Sequence, residues 1–252
     1  MPTAPPQPLP PGRIDVHCHL IPGVDDGCQT LDDSLACVRR LQGAGYVGSV
    51  CTPHMWPDTL PDNTPAHVRA WVATLQRDID DAGLDYRLWP GGELRLFDGA
   101  IDWMQAHGVP TLAASRCVLL DYWDRRWPTW APDVFRWLKS RGYQPILAHP
   151  ERLPIANDID AIDKTLRDIE NQGVWLQGNF RCMTGEDGFV ADQLVRKLAA
   201  ENRYRLMALD VHGPDSLEGR LDGLALAEAE FGRDAVARLT IDAPRRLIVK
   251  AA

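Results

Sequence analysis

The chain has 252 residues, 45% of them hydrophobic and 25% charged, which is enough to bury a full core in one α/β domain. Its net charge is −8, and it has no cluster of lysines and arginines that could bind the phosphates of a nucleic acid, so we expect no nucleic-acid partner. No run approaches the roughly eighteen apolar residues of a membrane span, so we also expect no direct membrane insertion.

The first segment of the chain, residues 1–12, is proline-rich and lacks the basic start and apolar core of a signal peptide. It predicts a flexible leader, followed by a single domain over residues 13–252. The six cysteines form no C-x-x-C pair and no zinc-knuckle spacing. They indicate reduced thiols rather than a disulfide framework, and we expect a cytoplasmic protein.

After the leader, seven short apolar or β-branched runs alternate with longer amphipathic stretches, which is the pattern of repeated βα units. The stretch LDDSLACVRRLQGAG places apolar residues three and four apart and ends in glycine, as helices do. Thr30, followed by Asp33, resembles a capping box at its start. The predicted strands are residues 13–17, 47–51, 86–90, 117–121, 144–148, 174–177 and 206–209.

Seven βα units without a long linker favour an α/β fold with a closed or nearly closed barrel. An open, doubly wound sheet is the alternative, although it usually has fewer strands at this length. Residues 216–252 predict two or three helices that close the barrel.

Histidines and acids follow five of the seven predicted strands at their carboxyl ends, which converge on one face of a barrel. Because side chains two apart share one side of a strand, both residues of the pair His17 and His19 can reach one ion, and so can both residues of the pair Asp210 and His212. Imidazole and carboxylate without thiolate predict a hydrolytic site for Mn, Fe or Zn, with Glu93 as a bridging ligand. The candidates are His17, His19, His54, Glu93, His149, Asp210 and His212.

Other polar residues have simpler interpretations. His67 and His107 lie in helical stretches, and we expect each to be a hydrogen-bonded residue without a role in the site. Asp25 and Asp26, in GVDDG, are either turn formers or, for Asp26, a further metal ligand.

Taken in order, IDVHCHLIPGVDDG, CTPH, GGEL, LAHPER and LDVH resemble the motifs of the polymerase and histidinol phosphatase (PHP) superfamily. Within it, the chain is most similar to the manganese-dependent bacterial protein tyrosine phosphatases of capsule and exopolysaccharide loci. The resemblance runs from Ile14 to about Leu247. It implies a distorted (β/α)7, TIM-like barrel that holds three divalent ions, Mn²⁺ above all, with Fe or Zn as alternatives.

The resemblance also implies a role for each ligand. His17, His19, Glu93 and Asp210 would hold one ion, and Glu93 would bridge to a second ion bound by His149. Asp26, His54 and His212 would hold the third. Arg152 in HPER matches the arginine that contacts substrate phosphate, which a hydroxide bridging two metals would attack at phosphorus.

The chain departs from the family pattern where basic residues are expected. Met55-Trp56-Pro57 follows His54, and Arg220 lies some three residues later than the arginine expected beyond D-x-H. The segment DYWDRRWPTW supplies Trp123 and Arg125 as further substrate-binding candidates. Gln177 and Asn179 at the end of a strand are candidates for contact with either the substrate or a metal ligand. Asp121 ends another strand and is either a residue that orients a metal ligand or an ordinary cap.

The resemblance implies a protein-tyrosine phosphatase whose partner is a phosphotyrosine protein, specifically a bacterial tyrosine kinase or a related protein of polysaccharide biosynthesis. The missing basic residues leave open a small-molecule phosphatase of the histidinol-phosphate type or a phosphodiesterase. A metal-bearing adaptor without turnover is the alternative outside enzymes, although a complete ligand set argues against it.

Overall fold

A computed structural model of the protein describes residues 10–249, so most of the predicted leader lies outside the described residues. Within that range, the strands pair only in parallel, and helices follow most of them along the chain. The strands are β1 (Arg13–Cys18), β2 (Tyr46–Cys51), β3 (His54–Met55), β4 (Arg87–Pro90), β5 (Glu93–Arg95), β6 (Cys117–Asp121), β7 (Gln144–Ala148), β8 (Trp175–Asn179) and β9 (Tyr204–Ala208).

The helices occupy the stretches in which the sequence has a helical period. Thr30 and Asp33 form the predicted capping box at the start of the first helix. The predicted C-terminal helices are confirmed as a long helix followed by two short ones with a π turn between them (Arg238–Asp242). The helices are α1 (Leu31–Gly43), α2 (Pro65–Asp81), α3 (Ala100–His107), α4 (Ala131–Ser140), α5 (Ile159–Asn171), α6 (Phe189–Ala200), α7 (Pro214–Phe231), α8 (Arg233–Ala237) and α9 (Ala243–Val249).

The ladders form two parallel sheets instead of one closed barrel. One has the order β1-β2-β4 and the other β3-β5-β6-β7-β8-β9. The first and last strands meet beyond their ends, where Cys18 and Val211 form an isolated parallel bridge. Two main-chain hydrogen bonds flank it: His19 N donates to Val211 O at 2.8 Å, and Asp210 N donates to His17 O at 2.9 Å.

The division into two sheets comes from breaks after the second and third predicted strands. The chain leaves the first sheet at the end of β2 (Cys51) and joins the second sheet at β3. It passes from the first sheet to the second again between β4 and β5. The second break contains Gly91 and Gly92, where an added Cβ would lie 2.8 Å from Val50 Cγ1 and 2.3 Å from Met55 Cε. Close packing therefore favours glycine at this break, and two short strands, β3 and β5, are added to the seven that the sequence predicts.

The strands separate two layers of apolar side chains with the expected period of two. Leu119, Ile146 and Leu206 belong to a small inner cluster, whereas their neighbours Leu120 and Leu147 pack in the large cluster with the helices. Both faces of the sheets are therefore buried, as parallel sheets require.

All six cysteines lie within the described residues, and each is a free, buried thiol, as predicted. Among the helices that the structure describes, none is both long and apolar enough to cross a membrane.

Helix α7 packs its backbone directly against the 3₁₀ turn Phe180–Thr184 that follows β8, because Gly223 presents no side chain there. A Cβ at Gly223 would lie 2.0 Å from Phe180 O. We expect Gly223→Ala to lower the free energy of unfolding by about 1–3 kcal/mol, since the helix must move away from the turn.

Urea denaturation followed by circular dichroism measures this change. The matched control is Gly43→Ala at the end of α1, where nothing lies within 4 Å of an added Cβ. That variant should be neutral or gain up to about 1 kcal/mol from helix propensity. Equal stability of the two variants would contradict the packing of α7 described here.

Candidate metal centre

The structure brings together all eight residues that the sequence nominated as metal ligands. Their ligand atoms form overlapping groups in which every atom lies within 4.8 Å of the others, and Asp121 joins one of these groups. The groups are His19, Asp26, His54 and His212; His17, Glu93 and His149; His17, His19 and Asp210; and His54, Glu93 and Asp121.

Glu93 occupies the middle of this cluster and is fully buried. Its Oε1 lies 2.9 Å from His149 Nε2 and 3.4 Å from His17 Nε2. Its Oε2 lies 2.6 Å from His54 Nδ1 and 3.7 Å from His19 Nε2. The register explains this position, because Glu93 begins β5 opposite His54 at the start of β3. One carboxylate thus contacts four imidazoles, which is the geometry of a bridging ligand.

The partners of His17 and His19 determine which ring nitrogen carries the proton. His17 Nδ1 donates to Gln177 Oε1 at 2.9 Å, and His19 Nδ1 donates to Asp25 Oδ2 at 2.7 Å. In its neutral form, which is the one that binds a metal, each ring therefore presents a lone pair at Nε2. These two Nε2 atoms lie 3.3 Å apart, and both lie within 3.3 Å of Asp210 Oδ1. Three electron pairs converge on one point, an arrangement that a divalent cation satisfies.

Several buried oxygens of the site lack a hydrogen-bond donor among the described residues. They are Glu93 Oε2, Asp210 Oδ1 and both carboxylate oxygens of Asp121. Buried oxygens are normally paired, so this concentration of unpaired acceptors fits a site whose remaining partners are metal ions.

The charges in the cluster also suit cations. Burial alone would raise the pKa of Glu93, but the His17 and His54 imidazoles hold it well below its usual range. Burial alone would also raise the pKa of Asp210, but His17 and His212 hold it well below its usual range. Asp121 differs, because burial and the nearby Glu93 raise its pKa to about 6. Glu93 and Asp210 are therefore ionised at neutral pH, and their two negative charges favour the binding of a cation.

Two of the ligands have backbone angles that non-glycine residues rarely adopt. The φ of His149 is 29° and that of Asp210 is 56°. Asp210 is held in place because Arg220 Nε donates to its carbonyl oxygen at 2.6 Å. Such strain concentrates at functional sites, where the surrounding structure compensates for it.

A layer of residues behind the ligands orients them, and the sequence identified part of it, since Asn179 was a candidate for contact with a ligand and Asp25 was not. Asp25, considered only as a turn former, accepts hydrogen bonds from His19 and from the backbone N of His54 at 3.0 Å. Asn179 donates to Asp210 Oδ2 at 2.8 Å. Acids in a GVDDG turn or an amide after a strand carry no signal that separates this role from an ordinary turn or cap.

The predicted substrate-binding residues divide into two groups. Arg152 lies at the site, with Nη1 3.1 Å from Asp210 Oδ2, and its guanidinium carbon lies 4.9 Å from the ring centre of Trp123. Trp123 is 37% exposed, and its ring lies 5.6 Å from that of His149. Arg125 is exposed on the same loop. Arg152 and Trp123 therefore lie beside the metal-ligand cluster, whereas no contact among the described residues places Arg125 there.

Gln177 and Arg220 lie further back than expected. Gln177 is fully buried, and its amide joins His17 to the carbonyl of Gly178. Arg220 is 3% exposed, and its guanidinium donates to the carbonyls of Asp210 and Ser216. We therefore assign both to orienting the site, although Arg220 also lines the cleft above it.

That cleft has a volume of about 440 Å³ and contains a basic residue that the sequence did not single out. Arg181, on the turn after β8, faces it together with Arg152 and Arg220. Arg181 lies 3.2 Å from Glu186 and 3.5 Å from Asp187. The only sequence signal was its position two residues beyond Asn179, at a strand end. The cleft thus has one arginine more than the sequence suggested, although three acids, Asp26, Glu186 and Asp215, also line it.

Comparison with known proteins covers nearly the whole chain. Residues 13–249 match a family model described as capsular polysaccharide synthesis, CpsB/CapC. Tyrosine-protein phosphatase YwqE of Bacillus subtilis is 26% identical over 231 residues, which cover 91% of this chain and 89% of that protein. Tyrosine-protein phosphatase CpsB of Streptococcus pneumoniae is 23% identical over 248 residues, covering 94% and 98%.

Solved structures agree in fold. The crystal structures of YwqE and CpsB, described as unique metal-dependent tyrosine phosphatases, include a chain with a TM-score of 0.83 and 25% identity, covering 94% of both chains. The phosphotriesterase homology protein of Escherichia coli has a TM-score of 0.58 at 11% identity, covering 95% of this chain and 99% of that one. This second likeness shows that the parallel α/β architecture is shared with phosphotriesterase-like proteins.

The contact between Asp25 and His19 yields a prediction about metal affinity. Asp25→Asn keeps the shape of the side chain but removes the charge that fixes the His19 tautomer. We expect the affinity for Mn²⁺ to fall by about 10–100-fold, as it does when the orienting partner of a ligand is lost. Titration calorimetry on stripped protein measures it.

Asp32→Asn is the matched control, since Asp32 is exposed in the first turn of α1, and its affinity should be unchanged. Unchanged affinity in Asp25→Asn as well would show that the tautomer of His19 is set by something other than Asp25.

Proposed function

Because the chain belongs to the CpsB/CapC family of capsular polysaccharide synthesis, we propose that it is a metal-dependent protein-tyrosine phosphatase. The observation that carries the proposal is the buried histidine and carboxylate cluster beneath a cleft lined by arginines. The cluster fits cations, and the arginines of the cleft can pair with the anion that those cations would bind.

The proposal includes three divalent ions, with Mn²⁺ as the favoured metal. The four overlapping groups support more than one ion, and Glu93, which belongs to two of them, has two carboxylate oxygens with which it could bridge neighbouring ions. Ligands that are only nitrogen and oxygen suit Mn²⁺, with Fe or Zn as alternatives. When bound, the ions would supply Lewis acidity and positive charge at the scissile phosphate.

The remaining chemistry belongs to side chains of this protein. Glu93 and Asp210 hold the cluster together, and both stay ionised because imidazoles surround them. Arg152 can donate two parallel hydrogen bonds to phosphoryl oxygens while it stays anchored to Asp210. Arg181 adds a second guanidinium on the same side of the cleft. A phenolate has a pKa near 10 and leaves readily, so the site needs less help from a general acid.

We further propose that the two sheets are parts of one distorted (β/α)7 barrel closed at the Cys18–Val211 bridge. The substrate would be a phosphotyrosine protein, specifically a bacterial tyrosine kinase or a related protein of polysaccharide biosynthesis. The names of the relatives, which are tyrosine-protein phosphatases, support this substrate class. The six reduced thiols support a cytoplasmic location.

The direct test is initial-rate hydrolysis of a phosphotyrosyl peptide beside histidinol phosphate, with stripped protein reloaded with Mn²⁺. We expect metal-dependent release from the peptide. His149→Ala should lower kcat/KM by about 100-fold or more, because it removes a ligand that contacts Glu93 at 2.9 Å.

His107→Ala is the matched control, since His107 is exposed in α3 far from any metal ligand in sequence, and it should retain full activity. Turnover of histidinol phosphate alone would keep the metal site and assign it to small-molecule phosphomonoesters. Turnover of neither substrate would favour a phosphodiesterase or a non-catalytic adaptor.

Trp123 yields a prediction about substrate preference. Its exposed ring stands beside His149 and Arg152, where it can stack on the aromatic ring of phosphotyrosine. We expect Trp123→Ala to raise KM for the phosphotyrosyl peptide by about two- to tenfold, with kcat little changed.

Trp175→Ala is the control, because Trp175 has the same 37% exposure but begins β8, at the opposite end of the strands. An equal rise in KM for an alkyl phosphomonoester would assign Trp123 to positioning Arg152 and not to contact with the phenyl ring.

A further inference from the structure

A second, larger cavity opens at the other end of the parallel strands. Its volume is about 770 Å³, within the range of roughly 300–1,000 Å³ that is usual for small-molecule sites. Cys117, Trp175 and Tyr204, the first residues of β6, β8 and β9, line one side. The metal ligands lie at the carboxyl ends of the strands, so the two sites share no lining residue.

The cavity offers an apolar surface that folding leaves incompletely covered. Trp175 is 37% exposed. Phe231, at the end of α7, and Leu239, on the π turn, are only partly buried although they pack against the core. An aliphatic chain or an aromatic ring that enters the cavity would bury these side chains and gain the corresponding hydrophobic free energy.

Three arginines from three different elements surround this apolar surface. Arg205 lies on β9, Arg238 on the π turn and Arg246 on α9, and all three are exposed lining residues. Their side chains form no hydrogen bond, ion pair or ring contact with any residue of the described range 10–249. The chain has 35 acidic residues against 27 basic ones, so partners are plentiful elsewhere.

Two neighbouring arginines, unlike the three in the cavity, are bound to other residues of the protein. Arg203, two residues before Arg205, forms ion pairs with Asp163 and Glu170. Arg116, which also lines the cavity, donates to the carbonyls of Arg141 and Gly142 at 2.9 and 3.3 Å. The three cavity arginines are thus the members of this region that remain available to an anion.

We propose that this cavity binds an amphipathic anion, a small molecule with a carboxylate or phosphate head and an apolar body. The guanidinium groups match the head, because their planar donors pair with two oxygens of a carboxylate or phosphate at once. The body lies against Trp175, Phe231 and Leu239. The inference does not depend on the catalytic function, since no metal ligand or cleft residue contributes to the cavity.

The test is calorimetric titration of the full chain with dodecanoate and dodecyl phosphate below their micellar concentrations, beside dodecanol as the uncharged analogue. Saturable binding of one equivalent of either anion, with dodecanol at least about tenfold weaker, is expected. The tighter of the two anions identifies the head group.

Variants show whether the ligand occupies this cavity. Arg238→Glu combined with Arg246→Glu should weaken binding by at least about tenfold, and Ala235→Trp should abolish it by filling the cavity that Ala235 lines. Arg233→Glu is the matched control, because Arg233 is exposed on α8 but does not line the cavity. Far-ultraviolet circular dichroism of each variant verifies that it folds.

Three outcomes would overturn the proposal. Equal affinity for dodecanol and the anions would make the site merely apolar. Binding unaffected by the charge reversals would place the ligand elsewhere. Binding that appears only after removal of residues 1–9 would mean that a segment of this chain occupies the cavity.

Discussion

The structure depends on the convergence of three buried ligand atoms on one point. In the buried centre, Nε2 of His17 and Nε2 of His19 face each other and Asp210 Oδ1. Burying such groups without partners costs several kcal/mol, so in the chain without metal the neighbouring carboxylates outweigh burial and raise the pKa of both histidines, which favours protons on the rings. Divalent cations would take the place of these protons, and much of the polar architecture around the cluster keeps the ring nitrogens directed at one another.

The scaffold brings the candidate ligands together through backbone geometry as much as through side chains. Parallel strands end at one face, so residues that are far apart in sequence arrive together. The positive φ values of His149 and Asp210 turn their side chains inward at the points where the strands end. Arg220 fixes the carbonyl of Asp210, so an arginine expected at the substrate supports the strained loop instead.

Sequence alone predicted the ligands because their signal is periodic and local. His17 and His19, like Asp210 and His212, stand two residues apart at strand ends, and the strands themselves are marked by apolar runs. The breaks that divide the strands into two sheets depend on close contacts of Gly91 and Gly92 with distant side chains, which no local pattern reveals. Asp25 and Arg181 were missed for the same reason, and the role of Asp121 stayed open. Their roles come from neighbours brought close by the fold, and an aspartate in a turn has the same appearance whether or not it orients a histidine.

The ligands are distributed along almost the whole chain, from His17 on the first strand to His212 beyond the last. During synthesis the nascent chain therefore cannot complete the centre until its final quarter has emerged, and the earlier ligands wait without their partners. Insertion of the proposed metals would consequently be a late event in biogenesis. A fragment that ends before Asp210 would retain several histidines able to capture stray ions, yet it could not close the cage that selects among them.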